Sequence, residues 1–170
     1  MRFAEDSSSS FTIQAVSENG IVIADRDGRL IDFNRAILRP GEYAPEDIAR
    51  IKSIKELYYN RKDRNAVLAK FKKHGFVDRA EVQFKRKDGR PYDCLLSLRR
   101  ITYKEKPCTQ AIVQDVTRLK EIEKLLWDSR ERFLSLVETT SDWIWEVDRT
   151  GVYIFSNQKV KDILGYDRHE

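Results

Sequence analysis

The sequence has no apolar run near the roughly 18–20 residues that a membrane-spanning helix needs, and it is poor in the residues that build chemical sites. Its 170 residues include two histidines, two cysteines, four prolines and seven glycines. The glycines are scattered over turns, so no Gly-rich loop is present to cradle a phosphate. His74 and His169 stand far apart, and no nucleophile is paired with a base, which leaves no recognisable catalytic constellation. Cys94 and Cys108 have neither metal-ligand spacing nor a secreted setting, so neither a metal site nor a disulfide is expected. Cys94, in an apolar run, is expected in the core; Cys108 follows a proline and is read as a loop residue. The N-terminus carries acids and the serine run Ser7 to Ser10, not the basic-then-apolar order of a secretory signal. Residues 1–15 are therefore read as a mobile lead-in, and the protein as cytoplasmic. Charge of one sign is also lacking: 32 Lys and Arg oppose 28 Asp and Glu, for a net +4. The densest basic stretch, Lys85-Arg86-Lys87, precedes the Asp88-Gly89 turn and reads as a hairpin tip. Nucleic-acid binding would want basic residues gathered on one face, and no nucleic-acid partner is expected.

What is present is an internal repeat. Asp25, Arg26, Gly28, Ile31, Asn34 and Tyr43 recur as Asp148, Arg149, Gly151, Ile154, Asn157 and Tyr166, at a constant offset of 123 without gaps. Solenoid units run to about 20–50 residues, so this spacing indicates two copies of one small domain, the second holding only its first third. A domain of about a hundred residues is large enough to bury its own core.

The first copy opens with the β-branched run Ile21 to Ala24, an Asp27-Gly28 turn, and a returning strand Leu30 to Phe33, which together form a hairpin. Short helices follow. Pro45-Glu46-Asp47 opens one, and Ser53-Ile54-Lys55-Glu56 has the spacing of a capping box. Asp63 is expected to cap a longer helix with Val67, Leu68 and Phe71 on its buried stripe, ended by Gly75. Strands resume at 80–84, where alternation places Val82 and Phe84 inside, then at 93–98, burying Cys94, Leu96 and Leu98, and after a polar loop through Lys104 to Pro107, at 110–114. Two strands, a helical crossover and three strands make an α+β domain, an antiparallel sheet with helices on one face.

Next comes a heptad-patterned helix. Leu119, Ile122, Leu126, Ser129, Phe133 and Leu136 are separated by 3, 4, 3, 4 and 3 residues, the a/d spacing of a coiled coil. Over 117–138 it would run about 33 Å at 1.5 Å per residue. A second copy of the chain is the natural partner for this seam; the alternative is that the helix packs back on its own sheet.

These motifs, taken in order, resemble a PAS sensor domain, followed by a signalling helix and the start of a second PAS domain. The matching pieces in the first copy are the hairpin Ile23 to Gly28 with Asn34, Tyr43-Ala44-Pro45-Glu46-Asp47, Lys85 to Pro91, and Asp115-Val116-Thr117, where the last strand becomes the output helix. In the second copy they are Asp142 to Asp148, Gly151, Asn157 and Gly165-Tyr166. The resemblance implies a five-stranded antiparallel sheet cupping a small-molecule cavity. It divides the chain into a lead-in (1–15), a PAS domain (16–117), a coiled-coil helix (118–138) and a truncated second PAS domain (139–170). Candidate cavity residues are Ile23, Phe33, Leu68, Phe71, Val82, Phe84, Leu96 and Leu98; all are apolar, so a packed core without a ligand is the competing reading. Asp115 and Thr117 are candidates for signal relay, or simply for capping the helix amides. The dimer seam is assigned to Leu119, Ile122, Leu126, Phe133 and Leu136.

The resemblance further implies a non-catalytic input region, most often of a sensor histidine kinase, with a diguanylate cyclase or transcription regulator as other outputs, and a ligand-free pairing scaffold as the alternative. Flavin-binding relatives carry a reactive cysteine in an Asn-Cys-Arg motif on a helix, absent here, so a photoactive flavin is not expected. Haem-binding relatives offer a histidine on the long helix. His74 stands at that helix's last turn, where a surface position is favoured, so haem is not expected either and the ligand is unknown. His169-Glu170 aligns with Glu46-Asp47 in a helix opening, not with a phosphoacceptor site. If the second copy lacks its remainder, Trp143 and Trp145 lose their cover, which favours association or disorder beyond Asp142.

Overall fold

The computed structural model describes residues 17–167; the lead-in at 1–15 and the pair His169-Glu170 lie outside them. The chain divides into two compact units, Met1–Arg118 and Leu119–Glu170.

In the first unit, β1 (Gly20–Ala24) and β2 (Leu30–Phe33) form the expected hairpin, and β3 (Phe76–Lys85), β4 (Pro91–Tyr103) and β5 (Lys106–Asp115) follow the helices. All pairings are antiparallel, in the order β2-β1-β5-β4-β3. Between β2 and β3 lie α1 (Leu38–Gly41), α2 (Pro45–Arg50), a 3-10 turn (Ile54–Leu57) and α3 (Arg61–His74). Proline and two acids open α2, and the Asp47 carboxylate takes the Ala44 N–H at 2.9 Å. The Ser53 hydroxyl accepts from Lys55 N while Glu56 accepts from Ser53 N, so the capping box forms on the 3-10 turn. The cap of α3 is Asn60, whose Oδ1 takes the Lys62 N–H at 2.8 Å; Asp63 sits inside the first turn and is not the cap. Gly75 ends α3 at φ +77°, a left-handed conformation that glycine adopts at no steric cost.

The helices pack on one face of the sheet. Ile37, Ile48, Leu57 and Val67 join Val22, Val82, Phe84, Leu96, Leu98 and Val113 in the main core. Burying such side chains contributes about 1.5–3 kcal/mol each. Successive strand residues point to opposite faces, so Ile23, next to Val22, belongs to a smaller cluster on the other face with Tyr103, Cys108 and Ile101.

The later strands are longer than alternation alone indicates. β3 begins four residues early because a bulge between Val77 and Ala80 interrupts its pattern, with Arg79 at φ +43° and its N–H satisfied by Ser97 Oγ at 3.0 Å. The turn joining β4 to β5 is only Lys104-Glu105, both at positive φ, and Lys106 and Pro107 already belong to β5. Cys108 is thus a buried strand residue opposite Ile101, not a loop residue. No disulfide joins Cys94 and Cys108.

The helix α4 (Thr117–Thr139) starts in the last two residues of the first unit, and in the second it is followed by the hairpin β6 (Trp145–Val147) and β7 (Tyr153–Ser156) and by α5 (Lys159–Leu164). Val137 and Val160 are buried there, and so is Asn157, which is completely enclosed.

Candidate functional site

A cavity of about 440 Å³ opens in the first unit where the β1–β2 turn, the 3-10 turn and α3 meet the ends of β4 and β5. Its apolar wall is Ala24, Ile54, Tyr58, Leu68, Phe71 and Leu98; its charged residues are Asp25, Arg26, Asp27, Lys55, Arg64, Lys72 and Arg100. A second recess of about 370 Å³ shares Arg26, Phe71, Arg100 and Thr109 with it and reaches Ile101 and Cys108. Arg100 lies over the Phe71 ring, 5.7 Å from its centroid, an arrangement that holds the guanidinium by cation–π attraction. Arg64 donates through Nη2 to Asn65 Oδ1 at 3.1 Å, while its buried Nε–H has no acceptor among the described residues. Tyr58 packs edge-on against Phe84, with ring centroids 4.8 Å apart, and burial raises its hydroxyl pKa well above the ordinary value.

Of the eight residues expected at a cavity, Leu68, Phe71 and Leu98 line this one. Val82, Phe84, Leu96 and the half-buried Phe33 lie in the main core cluster without reaching it. Ile23 is a correction: it is fully buried, but on the opposite face of the sheet from the main core. Tyr58, Arg64 and Arg100 were not expected there. A buried aromatic beside a run of cations was the only available hint, and charged residues on a helix ordinarily read as a solvated face.

The second place of interest is the start of α4. Asp115 Oδ1 accepts the Thr117 N–H at 2.9 Å and lies 2.7 Å from the Thr117 hydroxyl. The hydroxyl also reaches back to the sheet. Thr117 Oγ1 accepts the Asp93 N–H of β4 at 3.0 Å, and Val116 N donates to Asp93 O at 3.0 Å. Asp93 in turn accepts from Gln83 Nε2 at 3.3 Å, and Gln83 O accepts the Tyr59 N–H at 2.8 Å. A chain of hydrogen bonds therefore runs from the residue beside Tyr58, across β3 and β4, to the first residue of α4. Asp93 and Gln83 are its unforeseen members.

The basic stretch before the Asp88-Gly89 turn ties down the crossover helices. Lys87 Nζ lies 2.7 Å from Asp47, and Arg86 bonds Pro40 O, pairs with Glu42 at 3.4 Å and covers the Tyr92 ring. The Lys87 ammonium holds the Asp47 carboxyl below its usual pKa.

Along α4, Leu119, Ile122, Leu126, Phe133 and Leu136 are all more than half exposed, as are Leu125 and Trp127. Among the described residues no helix is long and apolar enough to cross a membrane, and no cluster of three potential metal ligands occurs.

The PAS domain family matches residues 18–118, and a PAS domain family also matches residues 131–170. Among solved structures, the chain is similar to a PAS domain from a two-component sensor histidine kinase (13% identity, TM-score 0.52), covering 63% of this chain and 92% of that one. It is also similar to the PAS domain of nitrogen regulation protein NR(II) from Vibrio parahaemolyticus (18% identity, TM-score 0.52), with coverage of 64% and 98%. A third similar structure is the PAS domain of the fruit-fly ELK potassium channel (15% identity, TM-score 0.54), with coverage of 67% and 99%. At these identities the likeness is one of fold. No curated protein matches the chain.

Proposed function

This chain belongs to the PAS domain family, and we propose that it is the cytoplasmic sensory and dimerisation region of a multidomain signalling protein, with a histidine kinase as its output. A small molecule held between sheet and helices would favour one arrangement of the strands, and the junction at Asp115 and Thr117 would pass that preference to α4. The ligand must bind the two arrangements unequally, because equal affinity shifts nothing. What carries the reading is the hydrogen-bond chain from Tyr59 through Gln83 and Asp93 to Thr117. It links one wall of the cavity to the helix start through backbone and side-chain bonds of ordinary length, so a displaced wall has a physical route to the helix.

Pairing through α4 is supported by its exposed seam of five large apolar residues in heptad register. Charges placed in such a seam must be buried unpaired or keep the helices apart. Leu126→Glu with Phe133→Glu should therefore weaken a dimer at least about 100-fold, since each 1.4 kcal/mol is a factor of ten. Native mass spectrometry of the 170-residue chain reads both parts of the proposal. A dimer carrying a discrete extra mass, lost as a dimer in the double variant, is the expected result. A bare dimer would instead favour a pairing scaffold, and a bare monomer would remove the seam from the mechanism.

A further inference from the structure

We propose that the cavity takes a small organic anion, an apolar carboxylate whose charged end lies against Arg64 and Arg100 and whose body lies on Leu68, Phe71 and Leu98. This rests on the sensory reading and gives it a ligand class. The charged lining comprises five cations and two carboxylates, a net +3 (5 − 2). None of the five cations has an ion-pair partner among the described residues, in contrast to Arg86 and Lys87, whose charges are met by Glu42 and Asp47. Asp25 Oδ1 accepts the Asp27 and Arg29 N–H groups of its own turn, and the charge of Asp25 is already included in that net +3.

The sharper observation is Arg64 Nε, a buried N–H of a permanently charged group with no acceptor among the described residues. Buried donors are almost always satisfied, and leaving one unmet is costly. A carboxylate in the cavity supplies that acceptor once the Arg64 side chain turns its Nε–H outward, and guanidinium groups bind carboxylates through short, charge-assisted bonds in a fixed fork. The apolar wall selects for a ligand with a hydrocarbon body. The volume falls in the range of about 300–1,000 Å³ common to small-molecule sites. Inorganic phosphate would meet the charge and leave that wall bare.

Isothermal titration of the 170-residue chain with octanoate and phenylacetate, against octanamide and phenylacetamide, tests this. The acids should bind at one site per chain and at least about tenfold more tightly than the amides, the loss expected when a charge-assisted bond is removed. Arg64→Met should weaken the acids about tenfold or more and leave the amides unchanged. It should also melt no lower than the unaltered chain, because it removes the unmet donor. Should that variant fold poorly, Arg64→Lys keeps the charge but not the fork, and should retain only part of the preference for acids. Amides binding as well as acids would overturn the anion and leave a ligand sensor standing. Phosphate binding as tightly as the acids would overturn the apolar body. If no probe binds, and Leu68→Phe raises the melting temperature by filling the space, both the ligand class and the sensory reading fall.

Discussion

The two hairpins at an offset of 123 residues are the same object in two settings. In the first, Asn34 Oδ1 accepts Ile21 N–H at 2.8 Å and its Nδ2 donates to Asn19 O; in the second, Asn157 Oδ1 accepts Ile144 N–H at 3.1 Å and its Nδ2 donates to Asp142 O. Asp25 and Asp148 each fold a turn with the N–H groups two and four residues on, and Gly28 and Gly151 complete it at φ +82° and +85°. The surroundings differ. β1 is flanked by β2 and β5 and buries Val22, Ile23 and Ala24, whereas β6 pairs with β7 alone and leaves Trp145 and Val147 exposed. The matching local bonds, to which Asn157 Nδ2 adds one to Val137 O at 2.9 Å, show that the hairpin is set by its asparagine, aspartate and glycine. In the first unit, β5 and the packed helices add its burial.

The largest test of this comparison removes the asparagines. Asn34→Ala deletes two buried hydrogen bonds and should cost the first unit about 2–4 kcal/mol, at 1–2 kcal/mol for each bond. Trp127, Trp143 and Trp145 all lie in the second unit, so tryptophan emission in urea follows that unit, while amide hydrogen exchange in β1 to β5 follows the first. Asn34→Ala should lower the exchange protection of those strands and spare the emission midpoint; Asn157→Ala should do the reverse. A shared shift in both signals would mean that the two copies do not unfold independently. Smaller is the effect of Gly28→Ala and Gly151→Ala, each forcing a side chain into positive φ at about 1 kcal/mol. No neighbour comes closer than 3.5 Å to a Cβ added at either site, so equal losses are expected, and a larger one at Gly28 would show that its environment contributes. Smallest is Thr150→Val. The Thr150 hydroxyl, with the Val152 and Thr150 amides, holds the Asp148 carboxyl below its usual pKa. A depressed carboxylate stabilises above its unfolded pKa of about 3.9 and loses that stabilisation as pH falls through its folded value. Without the hydroxyl, the acid-induced change in tryptophan emission should begin at higher pH, and an unmoved onset would assign the turn to backbone bonds alone.

Features that depend on near neighbours in sequence were legible before the fold was known. The Asp-Gly turns, the Ser53–Glu56 capping box, the Gly75 terminus and the alternation through Val82 and Phe84 all stand where the residues place them. What was not legible depends on distant pairing. The run Ile21-Val22-Ile23-Ala24 does not alternate, so only its register with β5, where Ile23 stands opposite Gln110, decides which face Ile23 occupies. Cys108 reads as loop because the turn shrinks to two residues of positive φ. Asp63 and Asn60 are both good caps, and the chain direction before Arg61 selects Asn60. Arg64 and Arg100 look like ordinary surface charge until β4 and α3 bring them to one cavity.

The helix that begins at Thr117 has 23 residues, a rod about 34 Å long at 1.5 Å per residue. Its first residue is tied to β4 and β5, inner strands of the sheet, by the bonds to Asp93 and Asp115. In the proposed relay, each degree of tilt at that tie would carry the far end of a straight helix through about 0.6 Å, so a few degrees would amount to the length of a covalent bond or two.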